Sequence, residues 1–274
     1  MIDRESVTLG AYVRGIGVLG PGITGWPAAA ALLKGERPYV PAPTEAPPPA
    51  ALPAAERRRT GVTVRLALAA GLEALTAAGL DAGAAETLAT VFASSGGDGA
   101  ICDEICSALT SPERQISPTR FHNSVHNAAS GYWSIALRAM APSTALSAYD
   151  GSFAAGLIEA LCQIGASGAP ALFVAYDTDY PEPLRAKRPM PGSFATALLL
   201  DPRPAAGACA RLEARLARDA ADTLCEAPLE ALRAGIPAAR ALPLLKLICR
   251  RDSGHAVLDY LDDLTLAVTV WPCP

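Results

Sequence analysis

FHNSVHNAASGYWSIALRAMAPSTALSAYDGSFAAGLIEAL, residues 121–161, is the stretch around which the rest of this 274-residue chain is organised. The pattern from Asn127 to Met140 predicts a helix, and the alanine–proline pair that follows ends it. Ser143–Ala148 is short, small and partly apolar, which predicts a buried strand. Tyr149–Ser152 has the composition of a turn, and a second helix is predicted from Phe153 to Gly165.

The predicted strand-to-helix turn is the first candidate for a functional site. Many α/β enzymes place a nucleophile at such a turn, because the helix N-terminus stabilises developing negative charge. Here the turn contains no cysteine, but Ser147 and Ser152 flank it. An acyl hydrolase that uses Ser152, or an acyltransferase that uses Ser147, is therefore one alternative. A triad of Ser152, His126 and Asp177 can be drawn, although the two glycines of a GxSxG motif are replaced by aspartate and alanine.

The composition excludes several classes of protein. With 51% hydrophobic and 18% charged residues, the chain is predicted to be folded and globular. Its 23 basic and 27 acidic residues give no basic field for nucleic acid. No run approaches the roughly 18 apolar residues of a membrane span, and the charged N-terminus lacks the apolar core of a signal peptide. The seven cysteines have irregular spacing and no CxxC pair, which indicates reduced thiols in a cytoplasmic protein.

Predicted strands and helices alternate along the chain. The clearest apolar runs are Tyr12–Leu19, Thr87–Ala93, Pro170–Tyr176 and Ser193–Leu200. Helical patterns separate most of these runs, which predicts an α/β fold with layered helices around a mixed, mostly parallel sheet. Residues 211–218 alternate too irregularly to be assigned.

Two further motifs carry alternatives to weigh. Gly15–Gly20 matches GxGxxG, so a nucleotide-binding protein is a second alternative, although a proline and a glycine follow at once and delay the helix. His122 and His126 are four residues apart, but the chain has only one other histidine, so neither a metal nor a cofactor is predicted. Asp177 and Asp179 are interpreted as solvated loop charges.

The sequence from Asn127 to Ala175 resembles the N-terminal half of a β-ketoacyl synthase of the thiolase fold. The segment NSVHNAASGYWSIAL, residues 123–137, is the most specific signal, and it resembles the ketosynthase-like partner proteins of bacterial aryl polyene and related pigment clusters. The resemblance extends loosely over residues 8–204. It implies a truncated, thiolase-like domain at residues 1–204 and a C-terminal extension at residues 205–274 that packs on the same domain.

The resemblance also locates the position of the family's nucleophilic cysteine. Counting forward from Gly131 and Pro142 places it at Asp150, and counting back from Val174 places it at Gly151. The two later histidines of a decarboxylating ketosynthase are missing as well. The family resemblance therefore implies a non-catalytic, chain-length-factor-like subunit without a cofactor. Its expected partners are a full-length β-ketoacyl synthase, in a heterodimer, and an acyl carrier protein that meets the complex.

Two groups of residues are expected to serve that role. In the family the strand before the nucleophile turn pairs across the dimer axis, and bulky residues near it line the partner's acyl tunnel. The implied dimer-interface residues are Ser143, Thr144, Ala145, Leu146, Ser147 and Ala148. The implied tunnel-shaping residues are Phe121, His122, His126, Tyr132, Trp133 and Tyr149.

Overall fold

One nine-stranded sheet runs through the computed structural model, which describes residues 8–274. Residues 1–7, part of the segment in which the sequence predicts no signal peptide, lie outside the described residues. The strands are β1 (Leu9–Gly20), β2 (Ile23–Thr24), β3 (Ala89–Ala93), β4 (Ser143–Leu146), β5 (Ala171–Asp177), β6 (Phe194–Asp201), β7 (Ala210–Ala217), β8 (Gly254–Leu261) and β9 (Leu264–Pro272).

Helices connect and cover these strands. They are α1 (Trp26–Lys34), α2 (Ala54–Arg57), α3 (Val62–Ala77), α4 (Gly99–Thr110), α5 (Pro118–Asn123), α6 (Ala128–Leu137), α7 (Ser152–Ser167), α8 (Leu184–Lys187), α9 (Ala227–Gly235) and α10 (Leu242–Arg250). Three short 3₁₀ segments lie at Ala82–Thr87, Tyr149–Gly151 and Pro237–Ala241.

The sheet is mixed, as predicted, but the prediction that it is mostly parallel is wrong. The strand order is β4-β3-β5-β6-β1-β7-β9-β8, with β2 paired to β1 beside this path. Within the described chain only β3 forms parallel pairs, with β4 and β5. The other pairings are antiparallel. The helical crossovers needed for parallel pairing occur only between β3 and β5, whereas β8 and β9 are joined by a tight hairpin.

Helices pack on both faces of the sheet and form two cores. The side chains of α3 and α6 lie in one core, and those of α1, α7 and α10 lie in the other. All seven residues of β5 are buried, because this strand is covered on both faces. Its side chains alternate between the two cores, with Phe173 in one and Leu172 and Val174 in the other.

The stretch at residues 121–161 folds in the predicted order with shorter elements. Helix α6 ends at Leu137, because Arg138 adopts a left-handed conformation with φ 54°. Strand β4 ends at Leu146, two residues before the predicted end, and the prediction that it is buried is wrong, because Ser143 is exposed and the other three residues are half-buried. The turn then passes directly into α7, which begins at Ser152. The local order of helix, strand, turn and helix is therefore confirmed.

Residues 205–274 extend the same sheet. Strand β7 pairs with the first half of β1, and β9 and β8 follow it. The stretch at residues 211–218, which the sequence left unassigned, forms most of β7, with outward charged residues between buried alanines and the buried Leu212. Pro243 lies in the first turn of α10, where the helix restarts after a 3₁₀ segment. The division of the chain at residue 204 stays a prediction.

Candidate functional site

The turn between β4 and α7 is sharp and holds a strained residue. Tyr149 has a φ of 50°, which is uncommon for a residue other than glycine, and its side chain is 64% exposed. Such a conformation costs roughly 1–2 kcal/mol and presents a side chain at the start of the following helix. The strained position thus lies one residue before Asp150 and two before Gly151, the positions obtained by counting. None of the three residues is a cysteine.

Two arginines form ion pairs with Asp150 at the turn. Arg188 donates a hydrogen bond of 2.7 Å to one carboxylate oxygen, and Arg240 donates one of 3.2 Å to the other. The guanidinium of Arg188 also lies 3.8 Å from the centre of the Tyr149 ring. Arg240 in turn is 3.9 Å from Asp259, which extends the network of ion pairs. The carboxylate of Asp150 therefore serves as an anchor for side chains from two other segments.

The serine triad considered from the sequence does not form. Ser152 is buried, donates to the Tyr149 carbonyl at 2.6 Å and accepts from the Ala148 N–H at 3.0 Å. Nε2 of His126 lies 2.9 Å from the carbonyl oxygen of Leu146 rather than beside the serine. The hydroxyl of Ser152 therefore fixes the geometry of the turn and has no base to activate it.

Ser147, the other candidate serine, is exposed and donates its hydroxyl to the Ser95 carbonyl at 3.2 Å. This hydrogen bond joins the end of β4 to the loop that leads into α4. No described contact pairs Ser147 with a histidine or carboxylate that could act as its base. The serine thus has a structural contact in place of a catalytic one.

Asp177 is buried, so its interpretation as a solvated charge is wrong. Its carboxylate accepts hydrogen bonds from the N–H and hydroxyl of Ser95, at 2.8 and 2.6 Å, and from the N–H of Ala238 at 2.8 Å. Burial raises the pKa of Asp177 to about 6, and these hydrogen bonds oppose the effect. The residue joins the end of β5 to the loop before α4 and to the segment that carries Arg240.

The glycine motif at Gly15–Gly20 lies inside β1 and not in a loop. A Cβ on Gly15 would lie 2.0 Å from the carbonyl oxygen of Ala74, and one on Gly17 would lie 2.0 Å from that of Ala70. These glycines therefore allow α3 to approach the strand closely. Because the motif forms no turn at a helix N-terminus, the phosphate-binding geometry that a nucleotide site requires is not present.

Neither histidine of the central stretch belongs to a cluster of metal ligands. His122 packs edge-on against Tyr132, with ring centres 6.0 Å apart. His126 contacts the backbone, as described above. Across residues 8–274, no group of three or more histidine, cysteine, aspartate or glutamate side chains is arranged to hold a metal ion.

The residues implied to shape a tunnel fall into two sets. Tyr132 and Trp133 are each 1% exposed and belong to this chain's own core, where Trp133 packs against Phe92. Their spacing with Ala129 and Leu137 is that of the inner face of a helix, a signal already present in the sequence. By contrast, the side chain of Phe121 is 64% exposed. His122 and Tyr149 are exposed as well, and His126 is half-buried.

Strand β4 forms one end of the sheet, and one of its edges is open. The N–H of Thr90 donates to Pro142 at 3.0 Å, and that of Ser94 donates to Leu146 at 3.2 Å. Alternate residues of a strand direct their backbone groups to the same side. Ser143 and Ala145 must therefore direct their N–H and C=O groups away from β3. No strand within residues 8–274 pairs with that edge.

Apolar side chains surround the open edge. Met140, just before β4, is 91% exposed, and Tyr149, just after it, is 64% exposed. Val125 is 47% exposed and precedes His126, whose ring contacts the end of β4. Exposed apolar groups beside unpaired backbone groups are typical of a surface that another protein covers.

Helix α4 continues this exposed region. Of its twelve residues only Gly99 is buried. The thiols of Cys102 and Cys106 are exposed, and Leu109 is 48% exposed. The loop that leads into α4 is joined by a hydrogen bond to Ser147, the residue that follows β4. The open edge of β4, its flanking apolar residues and α4 are together called the β4 face below.

The other end of the sheet is covered. Its last strand is β8. The N–H of Asp222 donates to the carbonyl of Val257 at 2.8 Å, and the carboxylate of Asp222 accepts from the Val257 N–H at 2.8 Å. A loop residue therefore occupies the middle of this outer edge, which prevents another strand from pairing there.

An open cleft of about 760 Å³ lies between the turn and the β8–β9 hairpin. The residues that line it include no cysteine, histidine or serine, so it contains no pair of nucleophile and base of the usual kind. The lining residues are Ala148–Gly151, Arg218–Ala221, Arg240 and Asp259–Thr265.

No helix of residues 8–274 has both the length and the apolar character required to cross a bilayer.

Comparison with known proteins identifies one family and a consistent set of structures. The family model described as the β-ketoacyl synthase N-terminal domain matches residues 33–247. No curated protein matches the sequence. A chain of the complex of a ketosynthase (ApeO) with its chain length factor (ApeC) from Xenorhabdus doucetiae is similar, with 25% identity and a TM-score of 0.72. The match covers 95% of this chain and 99% of that one.

Two further structures share the fold at lower identity. The ishigamide ketosynthase/chain length factor matches with 14% identity and a TM-score of 0.71, over 97% of this chain and 100% of the other. A type II polyketide ketosynthase complex with its acyl-carrier protein, AntDE:AntF, matches with 13% identity and a TM-score of 0.73, over 97% and 100%. These matches confirm the ketosynthase-like, thiolase-type architecture predicted from the sequence.

Proposed function

The chain belongs to the β-ketoacyl synthase family, and we propose that it is a non-catalytic, chain-length-factor-like subunit that pairs with an active β-ketoacyl synthase. The similar solved structures include complexes of a ketosynthase with a chain length factor, which supports a role as the partner of a ketosynthase. The products would be polyene, fatty-acid-like or polyketide chains, and an acyl carrier protein would bring the acyl substrates to the complex.

The contrast between the two ends of the sheet is the observation that carries this proposal. Asp222 blocks the outer edge of β8, whereas the outer edge of β4 is open and flanked by exposed apolar side chains. An uncovered edge promotes aggregation unless a partner pairs with it. The interface prediction for residues 143–148 therefore becomes sharper. Ser143 and Ala145 would pair with the partner's backbone, and Thr144 and Leu146 would hold β4 on this chain's own sheet.

The chemistry of the turn supports a non-catalytic role. Acyl transfer through a thioester needs a thiolate nucleophile at the helix N-terminus. The turn presents Tyr149, Asp150 and Gly151 instead, and two arginines already engage the aspartate. The nearest cysteine in sequence, Cys162, lies in the third turn of α7, and burial raises the pKa of its thiol. This subunit thus lacks the group that would accept an acyl chain.

The exposed members of the predicted tunnel group are those that would meet the partner's tunnel. Phe121, His122 and Tyr149 reach the surface on or beside the β4 face. Tyr132 would act from beneath, because its hydroxyl donates to Asn123 at 2.9 Å and so supports the segment that carries Phe121 and His122. Each methylene that the partner's dry tunnel accommodates contributes about 0.8 kcal/mol until an aromatic wall stops the chain.

Substitution of Ala145 by proline tests the proposal at the open edge. Proline removes an N–H that faces away from β3, so the pairing of β4 within this chain is retained. Co-expression of the wild-type chain with a full-length β-ketoacyl synthase, one that retains its cysteine, should give a one-to-one complex. We expect Ala145→Pro to weaken that complex at least tenfold, the equivalent of about 1.4 kcal/mol. Ala145→Ser, which retains the N–H, is the matched control.

Thiol labelling gives a second readout of the same interface. Cys102 and Cys106 on α4 are exposed in the isolated chain and should be protected in the complex. Cys225, exposed near the opposite end of the sheet, should label equally in both. Condensing activity of the isolated chain that Asp150→Ala or Ser152→Ala abolishes would refute the non-catalytic role. Equal labelling of all three cysteines in a verified complex would refute the proposal that the β4 face is the interface with the ketosynthase.

A further inference from the structure

Two cysteines that are far apart in the sequence lie directly opposite each other across two strands. The register of β7 and β9 pairs Ala210 with Pro272, which places Cys209 opposite Cys273 just beyond the end of the ladder. The N–H of Cys273 donates to the carbonyl of Cys209 at 3.1 Å, whereas the N–H of Cys209 donates to the carbonyl of Val13 at 2.8 Å, so one hydrogen bond of the pair continues to this position. Both residues are only partly buried and both thiols are free.

The geometry of such a pair matches that of a disulfide. Residues opposite each other at a hydrogen-bonded position of an antiparallel ladder have Cα atoms about 5.5 Å apart and side chains on the same face. Disulfides span Cα separations of about 4.4–6.8 Å. The sulfur of Cys209 donates to the carbonyl of Val13 at 3.4 Å, a weak contact that a rotation about χ1 would release. No other pair of cysteines in the described residues is opposed across a ladder in this way.

We propose that Cys209 and Cys273 form a cross-strand disulfide when a small-molecule disulfide such as oxidised glutathione acts as the oxidant. First, the Cys273 sulfur attacks the glutathione disulfide, its proton passing to the departing glutathione. The Cys209 sulfur then attacks the mixed disulfide at Cys273, and a second glutathione leaves with the second proton. Two protein thiols lose two electrons in total, and one glutathione disulfide is reduced to two thiols.

The order of attack follows from the surroundings of the two sulfurs. Burial raises the pKa of the Cys209 thiol to about 11, so its thiolate is scarce at neutral pH. Cys273 therefore reacts first with the oxidant in solution. Cys209 reacts second, because its neighbour then holds the mixed disulfide directly opposite.

The bond would close the loop that contains most of the C-terminal extension. The backbone between Cys209 and Cys273 includes β7, α9, α10, β8 and β9. Closing a loop of this length restricts the unfolded chain and raises the Tm of a protein of this size by roughly 10 °C. Under oxidising conditions, the part of the sheet formed by β7, β8 and β9 would then resist unfolding independently of any partner at the β4 face.

The test uses the full chain with the four exposed cysteines, 102, 106, 162 and 225, replaced by serine. Oxidation with excess glutathione disulfide, followed by alkylation and peptide mapping, should give a peptide linking Cys209 to Cys273 and leave only Cys249 free. The Tm should rise by roughly 10 °C and return after reduction. In this background, Cys209→Ser should accumulate glutathione on Cys273, whereas Cys273→Ser should leave Cys209 reduced.

Peptide mapping of the oxidised wild-type chain provides an independent measurement that does not depend on the folding of the serine variants. A linked peptide containing Cys209 and Cys273 supports the proposal. Its absence after complete reaction of the exposed thiols overturns the proposal, and so does linkage of either residue to a different cysteine. None of these outcomes depends on the ketosynthase partner, so the two proposals fail separately.

Discussion

Replacement of Asp177 by asparagine tests how a buried charge links the end of β5 to the loop before α4 and to the 3₁₀ segment at Pro237–Ala241. The carboxylate is buried and accepts hydrogen bonds from Ser95 and Ala238. Burial raises its pKa from the usual 3.8 to about 6. This difference corresponds to about 3 kcal/mol of interaction that favours the protonated form in the folded state.

The sign of the effect follows from proton binding. Because the folded chain holds the Asp177 proton more tightly than the unfolded chain, the contribution to stability is complete below about pH 4. It is lost as the pH rises through about 6. Asparagine is neutral at every pH and cannot show this loss. The difference in free energy of unfolding, wild type minus Asp177→Asn, should therefore fall by about 3 kcal/mol between pH 4 and pH 7.5.

Urea unfolding of both proteins across this range measures the difference, and other titrating groups cancel between them. The variant also has a constant deficit, since its amide would point an N–H donor at the Ser95 or Ala238 N–H, at a cost of about 1–3 kcal/mol. The prediction concerns how the difference in free energy of unfolding changes with pH, and not this constant deficit. Asp179→Asn controls for the loss of a nearby negative charge. A difference that stays constant with pH, or one that rises, would refute the reasoning.

Two glycine substitutions should have opposite effects on stability. In Gly131→Ala the added Cβ meets no heavy atom within 4 Å on the exposed side of α6, so the isolated chain should gain about 0.5–1 kcal/mol in urea unfolding. In a complex that brings the partner's backbone against α6, the same variant should copurify less well with the ketosynthase. A lower stability of the isolated chain would contradict the expectation that the added methyl group meets no neighbour. In Gly17→Ala the added Cβ would lie 2.0 Å from the Ala70 carbonyl, so α3 and β1 must separate. We expect a loss of about 3 kcal/mol in the same assay, and unchanged stability would show that the glycine serves another purpose.

The order of elements was predictable where the signals are local. The proline after Ala141, the turn residues at positions 149–152 and the apolar runs placed helix, strand and turn correctly. The direction of the strands was not predictable in this way. A buried apolar run such as Ala171–Asp177 has the same composition whether its neighbours run parallel or antiparallel, and β5 has one neighbour of each kind. The sheet was therefore predicted to be more parallel than it is.

Strand β7 was missed because its outward face is charged and its alternation is interrupted. Arg211, Glu213 and Arg215 face outward, but Leu216 is exposed and Ala217 is buried, which is the reverse of what a regular alternation predicts. The strand is defined by its pairing with β1 and β9, which lie far away in sequence. Period alone does not contain that information.

The candidate site shows the same difference between features set by local sequence and features set by contacts that are distant in sequence. The position of the turn was predictable, because it needs only local signals, whereas the assignment of residue 150 or 151 to the family's nucleophile stays a prediction. The burial of Asp177 was not predictable, since its partners Ser95 and Ala238 are separated from it by 82 and 61 residues. The ion pairs of Asp150 with Arg188 and Arg240 likewise join residues that are 38 and 90 positions apart in the sequence.

The ion pairs at the turn explain how it keeps its shape with no cysteine at residues 149–151. A tyrosine at positive φ is strained, and in an enzyme such strain is retained because it positions a reactive group. Here Arg188 contacts both Tyr149 and Asp150, and Ser152 holds the backbone on either side of them. These contacts offset the strain at Tyr149. The turn keeps β4 and α7 in their relative positions, and in the proposed complex this stretch would present the open edge of β4 to a partner.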